Sequence, residues 1–258
     1  MLTDWEYILK DKYQNKINNK NIKQFIDDVF LLSKNYPRDY IIGYVNFLNC
    51  KIDLSKKPLI PRVETEYWVE KTLSTIKKHF KNYKNIKVLD IFSGSGCIGI
   101  SIAKNIKNTN IDFCDIEKNN LDQIKINLKL NNIQNYQKIL KSDIFSKINR
   151  KYDLILANPP YVPQSDAIKA PFEPQKTIIA GKDGLSIIRP FISQIKRFLN
   201  KNGVFIMEFH PNQVKSIKAM LIKHSFKDFE FYKDQYKRWR FVIVYTTQTT
   251  RTHPPHQP

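Results

Sequence analysis

Cysteine is scarce: the chain has three in 258 residues, Cys50, Cys97 and Cys114, far apart and without Cys-x-x-Cys spacing. That argues against a disulfide framework and fits a reducing compartment. Five histidines (His79, His210, His224, His253, His256) show no paired ligand spacing, so no metal is expected. Long apolar runs are missing too. None approaches the ~18 residues a membrane span needs, so no membrane association is expected. The start, Met1 to Glu6, has no basic segment followed by an apolar one, as a secretory signal would, and a secreted protein is not expected. Acidic residues are few, 24 against 43 Lys and Arg, for a formal charge of +19. A polyanionic partner such as RNA suits that balance. So does a general bias, because the lysines are spread through a chain also rich in Asn and Ile. Hydrophobic residues still make up 41%, enough for a core. The length suits one domain of ordinary size plus a small extra one.

The most informative stretch is Tyr152 to Tyr161, Tyr-Asp-Leu-Ile-Leu-Ala-Asn-Pro-Pro-Tyr. Leu154 to Ala157 form a continuous apolar run, the mark of a strand covered on both faces. Asn158 then meets Pro159 and Pro160. Each proline fixes its own φ, and Pro159 biases Asn158 away from helix. An amide and backbone carbonyls are thereby held at the carboxyl end of a strand, where open α/β sheets bind ligands. An amide oxygen beside a carbonyl oxygen can accept both hydrogens of one NH2 group. Tyr161 adds a flat wall for a planar group. On these four residues alone, a strand-ending turn is an equally good reading.

Upstream, Ile86 to Phe92 reads as a strand, followed by Ser93-Gly94-Ser95-Gly96-Cys97 and a helix from Ile98 to about Asn105. A glycine turn there lets a ligand approach the backbone. The spacing is not the full dinucleotide fingerprint and there is no Walker lysine, so neither a dinucleotide nor a triphosphate is the natural ligand. Asp115 ends the next strand, 21 residues after Gly94, placed to bind the two hydroxyls of a ribose. A third strand, Tyr136 to Leu140, leads to Ser142-Asp143-Ile144-Phe145. Asp143 there could accept from an adenine amino group while Ile144 packs on the ring; a turn acid is the plainer alternative.

Strand–helix alternation predicts a parallel sheet with helices on both faces. Helices are expected at Leu121–Leu130, Leu185–Leu199 and Gln213–His224, strands at Val204–Phe209, Asp228–Tyr232 and Phe241–Thr246, the last two as an antiparallel edge. Residues 1–57 read as a small helical unit, with Ile22, Phe25, Ile26, Val29 and Phe30 at helical spacing and Tyr44 to Phe47 extended. Residues 58–84 are a proline-stiffened link and a helix to about His79, capped by Thr65 or Glu64. Residues 85–247 form the sheet domain, and 248–258 a Thr/Pro/His-rich tail expected to be disordered.

Taken in order, several motifs converge. They are Tyr40-Ile-Ile-Gly43, Ile-Pro-Arg-x-Glu-Thr-Glu (60–66), Val-Leu-Asp-x-x-Ser-Gly-Ser-Gly (88–96), Asp115, Ser-Asp-x-Phe (142–145), Asn-Pro-Pro-Tyr (158–161) and Glu173-Pro174. Together they resemble the HemK/PrmC family of release factor glutamine methyltransferases, over roughly residues 36–245. Asn-Pro-Pro-Tyr is shared with amino-methylating DNA enzymes; the 60–66 motif is more specific. The resemblance implies an α/β fold, a seven-stranded Rossmann-like methyltransferase sheet using S-adenosylmethionine, behind a small helical domain that docks the substrate. That substrate is the glutamine of the Gly-Gly-Gln motif in a class I peptide chain release factor. Phe92, Ser93, Gly94, Ser95 and Gly96 are then expected to wrap the methionine part of the cofactor. Asp115 holds its ribose, Asp143 and Ile144 flank its adenine, and Asn158 bridges cofactor and substrate. Asn158, Pro159, Pro160 and Tyr161 clasp the glutamine amide.

The chain departs from the family pattern at Phe92, which replaces the first glycine of the loop, at Val63, which replaces a proline, and in a shorter N-terminal unit. Phe92 is therefore expected to point into the sheet. The competing readings are amino-methyl transfer to adenine or cytosine in DNA or RNA, and a non-catalytic basic module on ribosomal RNA. For the release-factor reading nucleic acid is not required, a monomer suffices, and the compartment is a bacterial cytoplasm or a mitochondrial matrix.

Overall fold

Apolar strand segments and amphipathic helices alternate along most of the chain, and the architecture follows from that order. A computed structural model describes residues 2–169 and 171–247; the tail at 248–258 lies outside the described residues. The elements are α1 (Asp4–Asp11), α2 (Ile22–Ser33), α3 (Arg38–Ile42), β1 (Tyr44–Phe47), β2 (Cys50–Asp53), α4 (Val63–His79), β3 (Ile86–Ile91), α5 (Cys97–Asn105), β4 (Thr109–Asp115), α6 (Lys118–Leu130), β5 (Tyr136–Lys141), β6 (Tyr152–Ala157), α7 (Ile188–Ile195), β7 (Leu199–Glu208), α8 (Val214–Lys223), β8 (Asp228–Lys233) and β9 (Trp239–Tyr245). One seven-stranded sheet has the order β5-β4-β3-β6-β7-β9-β8. Its first five strands are parallel, and β9 runs antiparallel between β7 and β8. The parallel strands thus bring the ends of β3, β4, β5 and β6 to one edge.

Alternation along the strands divides two cores. Val88, Leu154, Leu156, Ile206 and Ile243 pack in one core with residues of α4, α5 and α6. Leu89, Ile155, Phe205, Met207 and Val242 face α7 and α8. Every residue of β6 is buried, as its continuous apolar run requires. A third, small cluster joins Ile8, Tyr13 and Ile41. In α2, Phe25 and Leu32 turn toward that cluster, while Ile26 and Phe30 are 60% and 59% exposed.

Three local outcomes differ from the sequence reading. The Tyr44–Phe47 segment is extended as expected, but it pairs with β2 in a hairpin whose Phe47, Cys50 and Ile52 enter the main core. Leu48 and Asn49 both take positive φ, the two-residue turn that matches strand twist. Glu66 Oε1 accepts from the Leu48 N–H at 2.8 Å, and the free edge of β2 is covered by side-chain amides at one helical spacing on α6. Asn127 and Asn131 exchange hydrogen bonds with Asp53 and Lys51, and Gln123 accepts from Lys56. Neither Thr65 nor Glu64 caps α4: its N-cap is Arg62, without a side-chain cap bond, and Thr65 is turned inward instead. Finally α7 is shorter than the expected Leu185–Leu199 helix: it begins at Ile188 and gives way to a 3-10 turn at Lys196–Phe198 before β7 starts at Leu199.

Candidate active site

The carboxyl ends of β3, β4, β5 and β6 surround a cavity of about 250 Å³. Its lining includes Phe92 and Gly94 after β3, Asp115 and Glu117 after β4, Asp143 and Ile144 after β5, and Asn158 and Pro160 after β6. A second cavity of about 300 Å³ is lined by Asn158, Pro159, Pro160, Tyr161, Arg62, Glu208 and His210. Asn158, Pro160, Leu59 and Thr177 line both, so the Asn-Pro-Pro corner forms the wall between them.

The glycine turn divides in two. Phe92 and Gly94 face the first cavity; Ser93, Ser95 and Gly96 are not in its lining and shape the turn instead. Ser93 Oγ donates to the Asp90 carbonyl at 2.6 Å and accepts from Cys114 N at 2.9 Å, tying β3 to β4. Gly96, at φ +81, opens α5, and a Cβ there would press on Ile100 and Ile124 at 3.2 Å. Gly94, at φ +54, has nothing within 4 Å of where a Cβ would stand, so the backbone lies open to the cavity. Phe92 takes a left-handed conformation, φ +61, which favours glycine, and its ring lies 5.7 Å from Phe191 on α7. It packs into the core beneath the sheet, as expected. Ile144 is also at positive φ, +46, a costly conformation for a β-branched residue, held by Ser142 Oγ donating to its carbonyl.

Asp115 is buried and already accepts from Gly94 N at 2.8 Å, Glu117 N at 2.9 Å and Asn120 Nδ2 at 3.1 Å. Burial pushes its carboxyl above the usual range, against those hydrogen bonds. A carboxylate has about four acceptor positions, so Asp115 retains roughly one. Glu117, two residues on and facing the same cavity, is an acid the sequence reading missed; its signal was an Asp-x-Glu pair at a strand end.

Behind the Asn-Pro-Pro wall lies a buried network. Glu208, at the end of β7, is 1% exposed. Its Oε2 accepts from Thr65 Oγ1 and Trp68 Nε1, both at 2.7 Å, and its Oε1 from the Tyr161 hydroxyl at 2.9 Å. Burial raises the Glu208 carboxyl above its ordinary range, opposed by the Thr65 and Trp68 hydrogen bonds and the Arg240 charge. Burial and the Glu208 charge likewise hold the Tyr161 phenol in its protonated form. Asn158 Nδ2 donates to Thr65 Oγ1 at 3.3 Å, and its Oδ1 has no hydrogen-bond partner among the described residues. The Tyr161 carbonyl accepts from Gln213 Nε2 at 3.0 Å. On the cavity's outer side, Glu173 accepts from Ile60 N at 3.0 Å and is paired with Arg62, which ties the loop after β6 to the 60–66 segment. Sequence reasoning missed Thr65, Trp68, Glu208 and Gln213 as site residues. Among the described residues no cluster of His, Cys, Asp or Glu is placed to hold a metal, and no helix is long and apolar enough to cross a membrane.

The family model described as "Methyltransferase small domain" matches residues 70–243. A release factor glutamine methyltransferase of Borreliella burgdorferi is 36% identical over 251 residues, covering 93% of this chain and 86% of its own length. The chain belongs to the release factor glutamine methyltransferase family. Another member, from Streptococcus pneumoniae, is 33% identical over 239 residues, covering 90% of this chain and 83% of its own. Among solved structures, a ribosomal protein L11 methylase from Lactobacillus delbrueckii subsp. bulgaricus aligns with a TM-score of 0.51 at 20% identity, over 74% of this chain and 81% of that one, a likeness of fold alone. This methyltransferase uses S-adenosylmethionine, and the first cavity fits it chemically. Its lining combines the acids Asp115, Glu117 and Asp143 with apolar Leu59, Ile144 and Ile187, and the open Gly94 backbone admits close approach.

Proposed function

We propose that Asn158 and Pro159 clasp the side-chain amide of the glutamine in a release factor's Gly-Gly-Gln motif, and that its nitrogen is methylated at the wall between the two cavities. The observation that carries this reading is the Asn158 side chain. Its Nδ2 is engaged by Thr65, its Oδ1 has no hydrogen-bond partner among the described residues, and it lines both cavities. Bound in the first cavity, S-adenosylmethionine would supply an electrophilic methyl group on a positive sulfonium, whose sulfur would leave as a neutral thioether. An amide nitrogen is a poor nucleophile because its lone pair is delocalised. Asn158 Oδ1 and the Pro159 carbonyl, accepting one amide hydrogen each, orient that nitrogen toward the first cavity. Fixing a reacting group in this way contributes several kcal/mol without a strong base. The Tyr161 ring, with its hydroxyl held by Glu208, packs against the planar amide. The proton leaves to water after transfer.

For the cofactor, Asp115 and Glu117 face its ribose, Asp143 and Ile144 its adenine, and Phe92 and Gly94 its methionine part, in a turn shaped by Ser93, Ser95 and Gly96. The N-terminal unit read over residues 1–57 docks the release factor through the exposed Ile26 and Phe30 of α2, and the chain acts as a monomer. The named relatives act on release factors, which disfavours the nucleic-acid amino group that Asn-Pro-Pro-Tyr alone left open. Substituting Asn158→Ala tests the scheme: kcat is expected to fall about 100-fold or more, as for loss of one oriented polar group at a reacting centre. Full activity in Asn158→Ala would sink it.

A further inference from the structure

We infer that Thr65 and Glu208 form a positioning pair that fixes which end of the Asn158 amide faces the substrate, and so sets selection of glutamine over glutamate. The inference rests on the reading of Asn158 as the amide clasp. A threonine hydroxyl has one proton to donate and lone pairs to accept. Thr65 Oγ1 lies 2.7 Å from Glu208 Oε2, so its proton goes to the carboxylate, which as an ion only accepts. The Thr65 oxygen is left as an acceptor, and Asn158 Nδ2 fills it at 3.3 Å. Oδ1 is thereby turned toward the wall between the cavities. Trp68 Nε1 holds Glu208 Oε2 from behind, and the Tyr161 hydroxyl takes Oε1, so one carboxylate braces both halves of the clasp. Thr65 is 2% exposed and lines neither cavity, so it acts only through its neighbours.

With the amide reversed, Oδ1 would meet the lone pairs of Thr65 and Nδ2 would point at the substrate. A donor there repels an incoming NH2 and favours a carboxylate. The pair therefore works as a discriminator: it makes the wall accept two hydrogens rather than offer one.

The test uses the full chain with Thr65→Val, which keeps the shape and removes the hydroxyl, and Thr65→Ser, which keeps the hydroxyl. Calorimetry measures binding of a release factor carrying Gly-Gly-Gln and of its Gly-Gly-Glu form; kcat and KM are measured with the former. In Thr65→Val the Gln-over-Glu binding preference and kcat each fall about tenfold, as for one lost hydrogen bond, with S-adenosylmethionine affinity unchanged. Thr65→Ser keeps both. Should Thr65→Val fail to fold, Glu208→Gln serves: its amide NH2 can donate to Thr65, freeing the Thr65 proton toward Asn158, and the preference falls likewise. An unchanged preference in Thr65→Val, or in Glu208→Gln if only that variant folds, together with an inactive Asn158→Ala, overturns the pair and leaves the clasp standing. A fully active Asn158→Ala overturns both.

Discussion

Gly184 lines neither cavity, yet it supports the corner that does. A Cβ built there would stand 2.1 Å from the Tyr161 carbonyl oxygen and 2.7 Å from Gln213 Nε2. Real Cβ contacts essentially never fall under 3.0 Å, so Gly184→Ala must separate the two backbones by about 0.9 Å, the difference between 3.0 and 2.1. Residue 184 is also at φ +70, and an L side chain in that region costs about 1–2 kcal/mol. In a chain of this size that corresponds to a melting point lower by about 2–8 °C. The displaced segment contains Tyr161, three residues from Asn158, so the shift reaches the reacting amide. A misplacement of about 1 Å can cost about 100-fold in rate. Gly184→Ala should therefore melt a few degrees lower and lose most of its kcat, while S-adenosylmethionine affinity, measured by calorimetry, changes little. Wild-type kcat together with an unchanged melting point would refute this account of how the corner is held.

Phe92→Gly removes the left-handed cost of about 1–2 kcal/mol but also the ring packed on Phe191, a half-buried aromatic whose loss costs about 2–3 kcal/mol. Unfolding in urea should show a lower midpoint at the same slope, equivalent to a loss of about 1 kcal/mol; a more stable variant contradicts the packing argument. Asp90 is fully buried, accepts from Gly99 N at 2.9 Å, and burial raises its carboxyl well above the ordinary value. Its proton is held more tightly in the native state than in the unfolded one, so the group costs stability as pH rises above the ordinary carboxylate range. Melting points followed upward from about pH 4, the ordinary carboxylate range, should fall more steeply for the wild type than for Asp90→Asn; parallel curves would contradict this. In Arg62→Ala the loop after β6 loses one of its two tethers at Glu173. Arg62 is partly exposed, so stability should change by less than about 1 kcal/mol, whereas limited proteolysis between residues 162 and 181 should speed up; identical digestion would argue against a tether.

The sheet was legible because period and punctuation agree. The all-apolar Leu154–Ala157 run, the glycine turn after Ile91 and the acid ending β4 each carry their own physical signal. Chain termini of elements were less legible: β7 starts at Leu199 in a polar Asn-Lys-Asn-Gly stretch that has no strand pattern. The β1–β2 hairpin was read only in half, since Leu48-Asn49 lacks the glycine that usually marks such a turn; both residues take positive φ, and Glu66 from α4 accepts from the Leu48 N–H. Within the site, the wall residues were legible because prolines, glycines and a strand-end acid announce backbone geometry. The network behind them was not. Thr65 read as a cap because helix-start threonines usually cap, and nothing local showed that Glu208, 143 residues away, would claim its proton. The Ile-Pro-Arg-x-Glu-Thr-Glu motif was recognised as a unit, but its members serve four partners: Ile60 and Arg62 hold Glu173, Thr65 holds Glu208 and Asn158, and Glu66 holds Leu48.

The most direct measurement is methyl transfer from labelled S-adenosylmethionine with three substrates side by side: a class I release factor, its Gly-Gly-Gln→Gly-Gly-Ala variant, and duplex DNA. Label on the release factor, on the glutamine by mass spectrometry and absent from the variant, is the result expected. Label on the DNA, or equal label on the variant, would contradict the account and make Asn158 to Tyr161 the clamp of a different amino group.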